Sequence, residues 1–288
     1  MSLFRSWMFV PGNHQRRLEK AKELQADVII YDLEDAVPLQ EKEKARDMVT
    51  HALRNNRGKV QFVRVNDPST PYFLDDVCAV AGPDLAGIVL PKAASKEHVS
   101  LADCLLAKRE NQHGLQTGAM EVVPLIESAL GLYHAFEIAS ANSRVKRLAF
   151  GSVDYTLDIG AQLTKEGTEI LFARSQLVVV SRAAGIEAPI DAVYIHLDDS
   201  EGLAVDAKLA RQLGFQGKLV IHPHQIEVVN DVFSPTEEEI EEAKRIAAAF
   251  DEAVASGFAA VQVGGKMVDY PVAERAKRIL GQGKAKNA

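Results

Sequence analysis

Val122-Val-Pro-Leu-Ile-Glu-Ser-Ala-Leu-Gly131 and Arg147-Leu-Ala-Phe-Gly-Ser-Val-Asp154 are the stretches on which the fold turns. Each opens as a short apolar run of strand length and then releases a carboxylate, Glu127 in the first and Asp154 in the second. Outward from this pair, similar runs recur at Trp7–Val10, Val28–Tyr31, Val60–Val65, Gly87–Leu90, Ala192–His196 and Lys218–Ile221. Stretches of helical period lie between them, among them Gln15–Leu24, Glu41–Leu53, Lys96–Lys108 and Leu171–Ala184. Repeated strand-then-helix order implies parallel strands joined by right-handed crossovers, and near-continuous apolarity suits strands covered on both faces. The pattern predicts an α/β fold, a (β/α)8 TIM barrel. A doubly wound open sheet is the alternative, because a sequence does not display closure. Pro11-Gly12-Asn13-His14 stands where a dinucleotide fold would carry G-x-G-x-x-G.

The 288 residues are 47% hydrophobic and 25% charged, the make-up of a globular chain that can build a core without staples. A formal net charge of −7 argues against a nucleic-acid partner, though not against an anionic small ligand held by a few local cations. Cys78 and Cys104 lack zinc-like spacing and nucleophile context. No signal-peptide pattern or membrane-length apolar run is found, so a cytoplasmic protein without a membrane partner is expected. Residues 1–233 are read as the barrel and 234–288 as a C-terminal helical extension, a lid or a subunit contact. In that tail, Ser234-Pro-Thr-Glu-Glu-Glu-Glu-Ile240 carries an N-cap and an acidic first turn, which predicts a helix to about Ala255. Gly257 breaks it, residues 264–271 make a turn before another helix, and residues 281–288 are expected to fray.

Catalytic groups of such a barrel gather at the C-terminal strand ends. Those positions hold Asp32, Glu34 and Asp35, then Arg64, Lys92, Glu127, Asp154, His196, and His222 with His224. Each has an ordinary alternative. A single strand-end acid more often caps a helix, Arg64 would serve as an ion-pair partner, and Lys92 could cover apolar surface with its stem. The histidines would hold loops, and Asp158 reads as a capping or surface acid. Taken together, Glu127 and Asp154 suit a hard divalent cation, Mg²⁺, with Asp32, Glu34 and Asp35 holding its waters. Arg64 could then grip a substrate carboxylate through a two-point fork.

The chain resembles the citrate lyase beta-subunit-like family of the HpcH/HpaI aldolase group. The resemblance rests on Phe9-Val-Pro-Gly-Asn13, Tyr31-Asp-Leu-Glu-Asp-Ala-Val37, Val63-Arg-Val-Asn66, Leu90-Pro-Lys92, Leu125-Ile-Glu-Ser-Ala-Leu-Gly131, Phe150-Gly-Ser-Val-Asp154 and Ile221-His-Pro-His-Gln225. It implies an Mg²⁺-dependent homo-oligomer, a trimer or hexamer, that acts on 3-hydroxyacyl thioesters such as malyl-CoA, citramalyl-CoA or citryl carried on an acyl carrier protein. Carried onto matching positions, Glu127 and Asp154 are metal ligands and Arg64 binds the carboxylate; beside them Asp32 is a candidate for binding substrate, and Glu34, Asp35 and Arg64 are candidates for catalysis. Gly265-Lys-Met-Val-Asp-Tyr-Pro271 resembles the segment that brings a catalytic base, here Asp269, from the same or a neighbouring subunit. An N-cap would also suit Asp-Tyr-Pro. Val153 departs from relatives that carry Glu before the second ligand, which bears on the substrate.

The expected reaction is a retro-Claisen cleavage to a keto or aldehyde acid and acyl-CoA, with Arg16, Arg17, Lys20 and Lys92 as candidates for holding the CoA phosphates. Three alternatives stay open: a malyl-CoA thioesterase, a pyruvate-type aldolase, and a non-catalytic assembly subunit. The second would be expected to use a histidine base near the second strand, where residues 32–35 hold none.

Overall fold

The computed structural model describes residues 4–286. Eight parallel strands close on themselves: β1 (Ser6–Pro11), β2 (Val28–Asp32), β3 (Val60–Arg64), β4 (Gly87–Leu90), β5 (Glu121–Ile126), β6 (Ala149–Phe150), β7 (Ile190–Asp191) and β8 (Gly217–Val220). Pairing of Ser6–Met8 with Lys218–Val220 joins β8 back to β1, which excludes the open sheet. Inward side chains fill the barrel, including Trp7, Val28, Ile30, Phe62, Val123, Leu125 and Leu219. The Trp7 and Phe62 rings lie 4.9 Å apart. Burying such side chains stabilises the fold by about 1.5–3 kcal/mol each.

The seventh strand needs correction. It is Ile190–Asp191, ahead of the expected Ala192–His196. A buried acid interrupts the apolar run, and distant cations make that burial tolerable. Lys218 on β8 places Nζ 2.5 Å from Asp191 Oδ2, and Arg174 Nε lies 2.9 Å from Oδ1. Asp206 completes a closed quartet, 2.6 Å from Lys218 and 2.7 Å from Arg174.

The chain divides into two compact units, Phe4–Asn230 and a second from Asp231 onward. In the second, Thr236 and Glu239 form a reciprocal capping box that starts the helix Glu237–Ala255. The expected turn is a β-hairpin, Val261–Val263 against Lys266–Val268, closed by Gly264 and Gly265, both at positive φ. The last helix runs Tyr270–Lys286. The expected fraying is thus not seen over 281–286, where Gly283 lets the helix approach Ile240; residues 287 and 288 lie outside the described residues. Among the described residues no helix is long and apolar enough to cross a membrane.

Candidate active site

Strand register sets Asp32, the last residue of β2, beside Arg64, the last of β3. The guanidinium fork closes on that neighbour, with Nε donating to Oδ1 at 2.8 Å and Nη2 to Oδ2 at 2.6 Å. The third nitrogen, Nη1, lies 3.0 Å from Glu34 and 3.6 Å from Asp35, and the group stacks over Phe9. Burial pulls the Arg64 pKa down, but Asp32, Glu34 and Asp35 outweigh it and raise it well above the usual value. The chain after β2 is held from below by a residue the sequence did not flag. Lys42 Nζ donates to the carbonyls of Leu33 and Glu34, both at 2.7 Å, and Asn66 donates to Leu33 O at 3.0 Å. Lys42 is buried and its pKa is lowered by that burial. Only its position in a helical period could have marked it.

Glu127 leaves β5 with 4% of its surface exposed. Its Oε1 accepts the Lys92 N–H at 2.7 Å, and its carboxylate packs against the chain after β6. A Cβ at Gly151 would stand 2.6 Å from Glu127 Oε2, so glycine is required there for the two strand ends to meet. Asp154 follows in the first turn of the helix Ser152–Asp158. Burial pushes the Glu127 carboxyl up to about 8, the Glu34 and Asp154 charges adding to it against the Lys92 amide and Arg64. Glu34 is raised too, by burial first, with Arg64 opposing. Among the described residues no three His, Cys, Asp or Glu side chains gather into a ready metal cage.

Lys92 turns its ammonium to Glu34, 3.1 Å away. A cavity of about 670 Å³ joins buried Asp32 and Arg64 to exposed Arg17 and Lys20 along a wall that includes Met8, Val10 and Ile221. Arg16 is exposed and does not line it. His222 does, and its Nδ1 accepts the His224 N–H at 3.4 Å. His196 lines a smaller pocket with Tyr194 and Arg174. Asp158 caps the helix Ala129–Tyr133 through the Ala129 N–H at 2.7 Å. Asp269 lies in the C-terminal unit, where Oδ1 accepts from Val272 N–H at 3.4 Å at the start of the last helix.

This arrangement meets its likeness among known proteins. Residues 5–223 match the model of HpcH/HpaI aldolase/citrate lyase, and residues 175–285 that of carbon–carbon bond lyases of the TIM-barrel fold. The citrate lyase subunit beta of Leuconostoc mesenteroides subsp. cremoris is 40% identical over 96% of this chain and 92% of its own length. A (3S)-malyl-CoA thioesterase of Cereibacter sphaeroides is 34% identical over 98% of this chain and 95% of its own. The solved structure of CitE from Mycobacterium tuberculosis in complex with magnesium, acetoacetate and coenzyme A is 30% identical, with TM-score 0.80, over 97% of this chain and 98% of that one. The chain belongs to the HpcH/HpaI aldolase/citrate lyase family of TIM-barrel carbon–carbon lyases.

Proposed function

We propose that this chain is an Mg²⁺-dependent lyase that splits a small dicarboxylic 3-hydroxyacyl thioester, a malyl, citramalyl or citryl thioester, into a keto or aldehyde acid and an acyl thioester. The observation that supports the reading is Glu127, just past the end of β5, packed against Gly151 at the end of β6, with Asp154 in the first turn of the helix that follows. The donor set fits the ion. Mg²⁺ takes one or two carboxylates and completes its shell with water and substrate oxygens instead of an all-protein cage. Glu127 and Asp154 would hold it, and when bound it would stabilise negative charge growing on a substrate oxygen.

The chain's own groups do the rest. Asp32 takes two of the three Arg64 nitrogens, so a substrate carboxylate would have to draw Nη1 away from Glu34, 3.0 Å from it. Asp35, half exposed and 3.6 Å away, is the weaker competitor for it. Asp32 is buried and its oxygens already accept from Arg64 and from the Glu34 and Ala36 N–H groups, so its part is to hold Arg64, and Glu34 and Asp35 are left to hold water around the ion. A base, Asp269 by the family's C-terminal segment, takes the 3-hydroxyl proton. The bond between the hydroxyl-bearing carbon and the thioester α-carbon breaks. Its electron pair passes to the thioester as an enolate, which is then protonated on carbon. Arg17 and Lys20, exposed on the cavity wall, suit the phosphates of CoA, with Arg16 beside them in sequence. Exposed Tyr133, Leu157 and Phe172 supply apolar surface of the kind a trimer or hexamer of this chain would cover.

The thioesterase reading is kept as second because two relatives bear that activity in their names. Citryl-, malyl-, citramalyl-, methylmalyl- and hydroxymethylglutaryl-CoA, each with Mg²⁺, separate the two. Acyl-CoA plus a keto or aldehyde acid supports the lyase, free CoA plus the intact hydroxy acid supports the thioesterase, and no product from the panel counts against both.

A further inference from the structure

We propose that Lys92 is a positioning residue, its left-handed backbone aiming its amide at Glu127 while its ammonium holds Glu34, so that one residue sets the separation of two carboxylates. The inference rests on the Mg²⁺-dependent reading above. Among the described residues Lys92 is the only non-glycine at positive φ, 48°. Glycine or asparagine would adopt that conformation at lower cost, so the lysine side chain offsets a local penalty through what it touches.

It touches two acids at once. The N–H donates to Glu127 Oε1 at 2.7 Å, and Nζ lies 3.1 Å from Glu34 Oε1. The other Glu34 oxygen is 3.0 Å from Arg64 Nη1, so Glu34 is slung between two cations. The kink is confined to one place. β4 ends at Leu90, and Ala93 already donates to Leu125 O on β5 at 3.2 Å. Without the ammonium, nothing on the Lys92 side restrains Glu34 from swinging toward Glu127. A second carboxylate near the ion would hold it more firmly while spoiling the placement of water and substrate around it.

The test is Mg²⁺ titration by calorimetry, without substrate, on the full chain carrying Lys92→Met, Lys92→Gly or Lys92→Arg, followed by turnover of a thioester from the panel. Lys92→Met should bind Mg²⁺ about three- to tenfold more tightly, since a cation beside the ion is gone. Its kcat should fall about 10–100-fold with KM little changed, the usual scale for groups that orient ligands. Lys92→Gly keeps the amide donor, relaxes the backbone and should behave alike in both readouts, which covers failure of the Met variant to fold. Lys92→Arg should return Mg²⁺ affinity to the parent value and recover part of kcat. Unchanged or weaker Mg²⁺ binding in both Met and Gly variants overturns the inference. So does a rise in KM at constant kcat, which would make Lys92 a grip for the thioester phosphates. If the parent chain binds no Mg²⁺, the lyase reading fails and takes this inference with it; if the parent binds and the variants match it, the inference fails alone.

Discussion

Glu127→Gln removes a charge while keeping the oxygen that accepts the Lys92 N–H at 2.7 Å. Its effect on stability without metal follows from the site. Burial, then the Glu34 and Asp154 charges, push the Glu127 carboxyl up to about 8 from its ordinary 4.5. The folded state therefore keeps a proton that the unfolded chain releases. Stability from this source is complete below pH 4.5 and is lost as pH rises toward 8. The gap is about 3.5 pH units, which at 1.36 kcal/mol per unit sets the loss on the order of 5 kcal/mol. For a unit of this size that corresponds to about 10–20 °C in Tm. Calorimetric scans in EDTA from pH 5 to 9 should show the parent falling away from Glu127→Gln by that margin at most. Mg²⁺ at one hundred times its Kd should restore about 2.7 kcal/mol to the parent at alkaline pH and nothing to the variant. Parallel pH curves, or equal stabilisation of both proteins by Mg²⁺, would refute the reasoning.

Lys218→Met leaves Asp191 and Asp206 to share Arg174, and should cost about 3–5 kcal/mol in urea unfolding. Adding Asp206→Leu restores charge balance and should recover most of the loss; a double variant no more stable than the single one would remove the quartet from the account. Gly151→Ala forces a Cβ to within 2.6 Å of Glu127 and should lower turnover about 10–100-fold while circular dichroism stays native. Full activity in that variant would show that Glu127 has room to move. Arg64→Lys keeps the charge but loses the fork on Asp32, and kcat/KM should drop about 10–100-fold. A variant within twofold of the parent would mean that the fork is dispensable.

The barrel was legible because most of its eight strands carry short apolar runs bounded by turns, although Gln61 and Lys218 interrupt β3 and β8. β7 was not, since its identity depends on partners far away in sequence. Asp191 can be buried only because Lys218 and Arg174 meet it there, and neither is signalled near residue 191. The strand-end acids were visible as single residues, whereas their pairing was not. Arg64 read as a free clamp, yet Asp32 is its cross-strand neighbour and takes two of its nitrogens. That contact depends on register, which a run of apolar residues does not encode. Lys42 and Gly151 were passed over for a similar reason: one supports carbonyls and the other makes room, and neither carries chemistry of its own. The hairpin had a local signal in Gly264-Gly265, but its three-residue strands are too short for alternation to show.

Charge balance links these separate contacts to the chemistry. Asp32, Glu34, Asp35, Glu127 and Asp154 face three cations, Arg64, Lys92 and Lys42, one of which touches only carbonyls. Five carboxylates against three cations leave two negative charges, in a place where burial weakens the screening by water. The metal-free protein relieves part of that excess by keeping a proton on Glu127. A single divalent cation held by Glu127 and Asp154 would relieve all of it. On the proposed function, proton and metal would compete for one carboxylate, and an anionic thioester would meet a neutral site only with the metal bound. On this reasoning Mg²⁺ binds before substrate, and thioester affinity in EDTA should be weak at every pH where Glu127 is ionised.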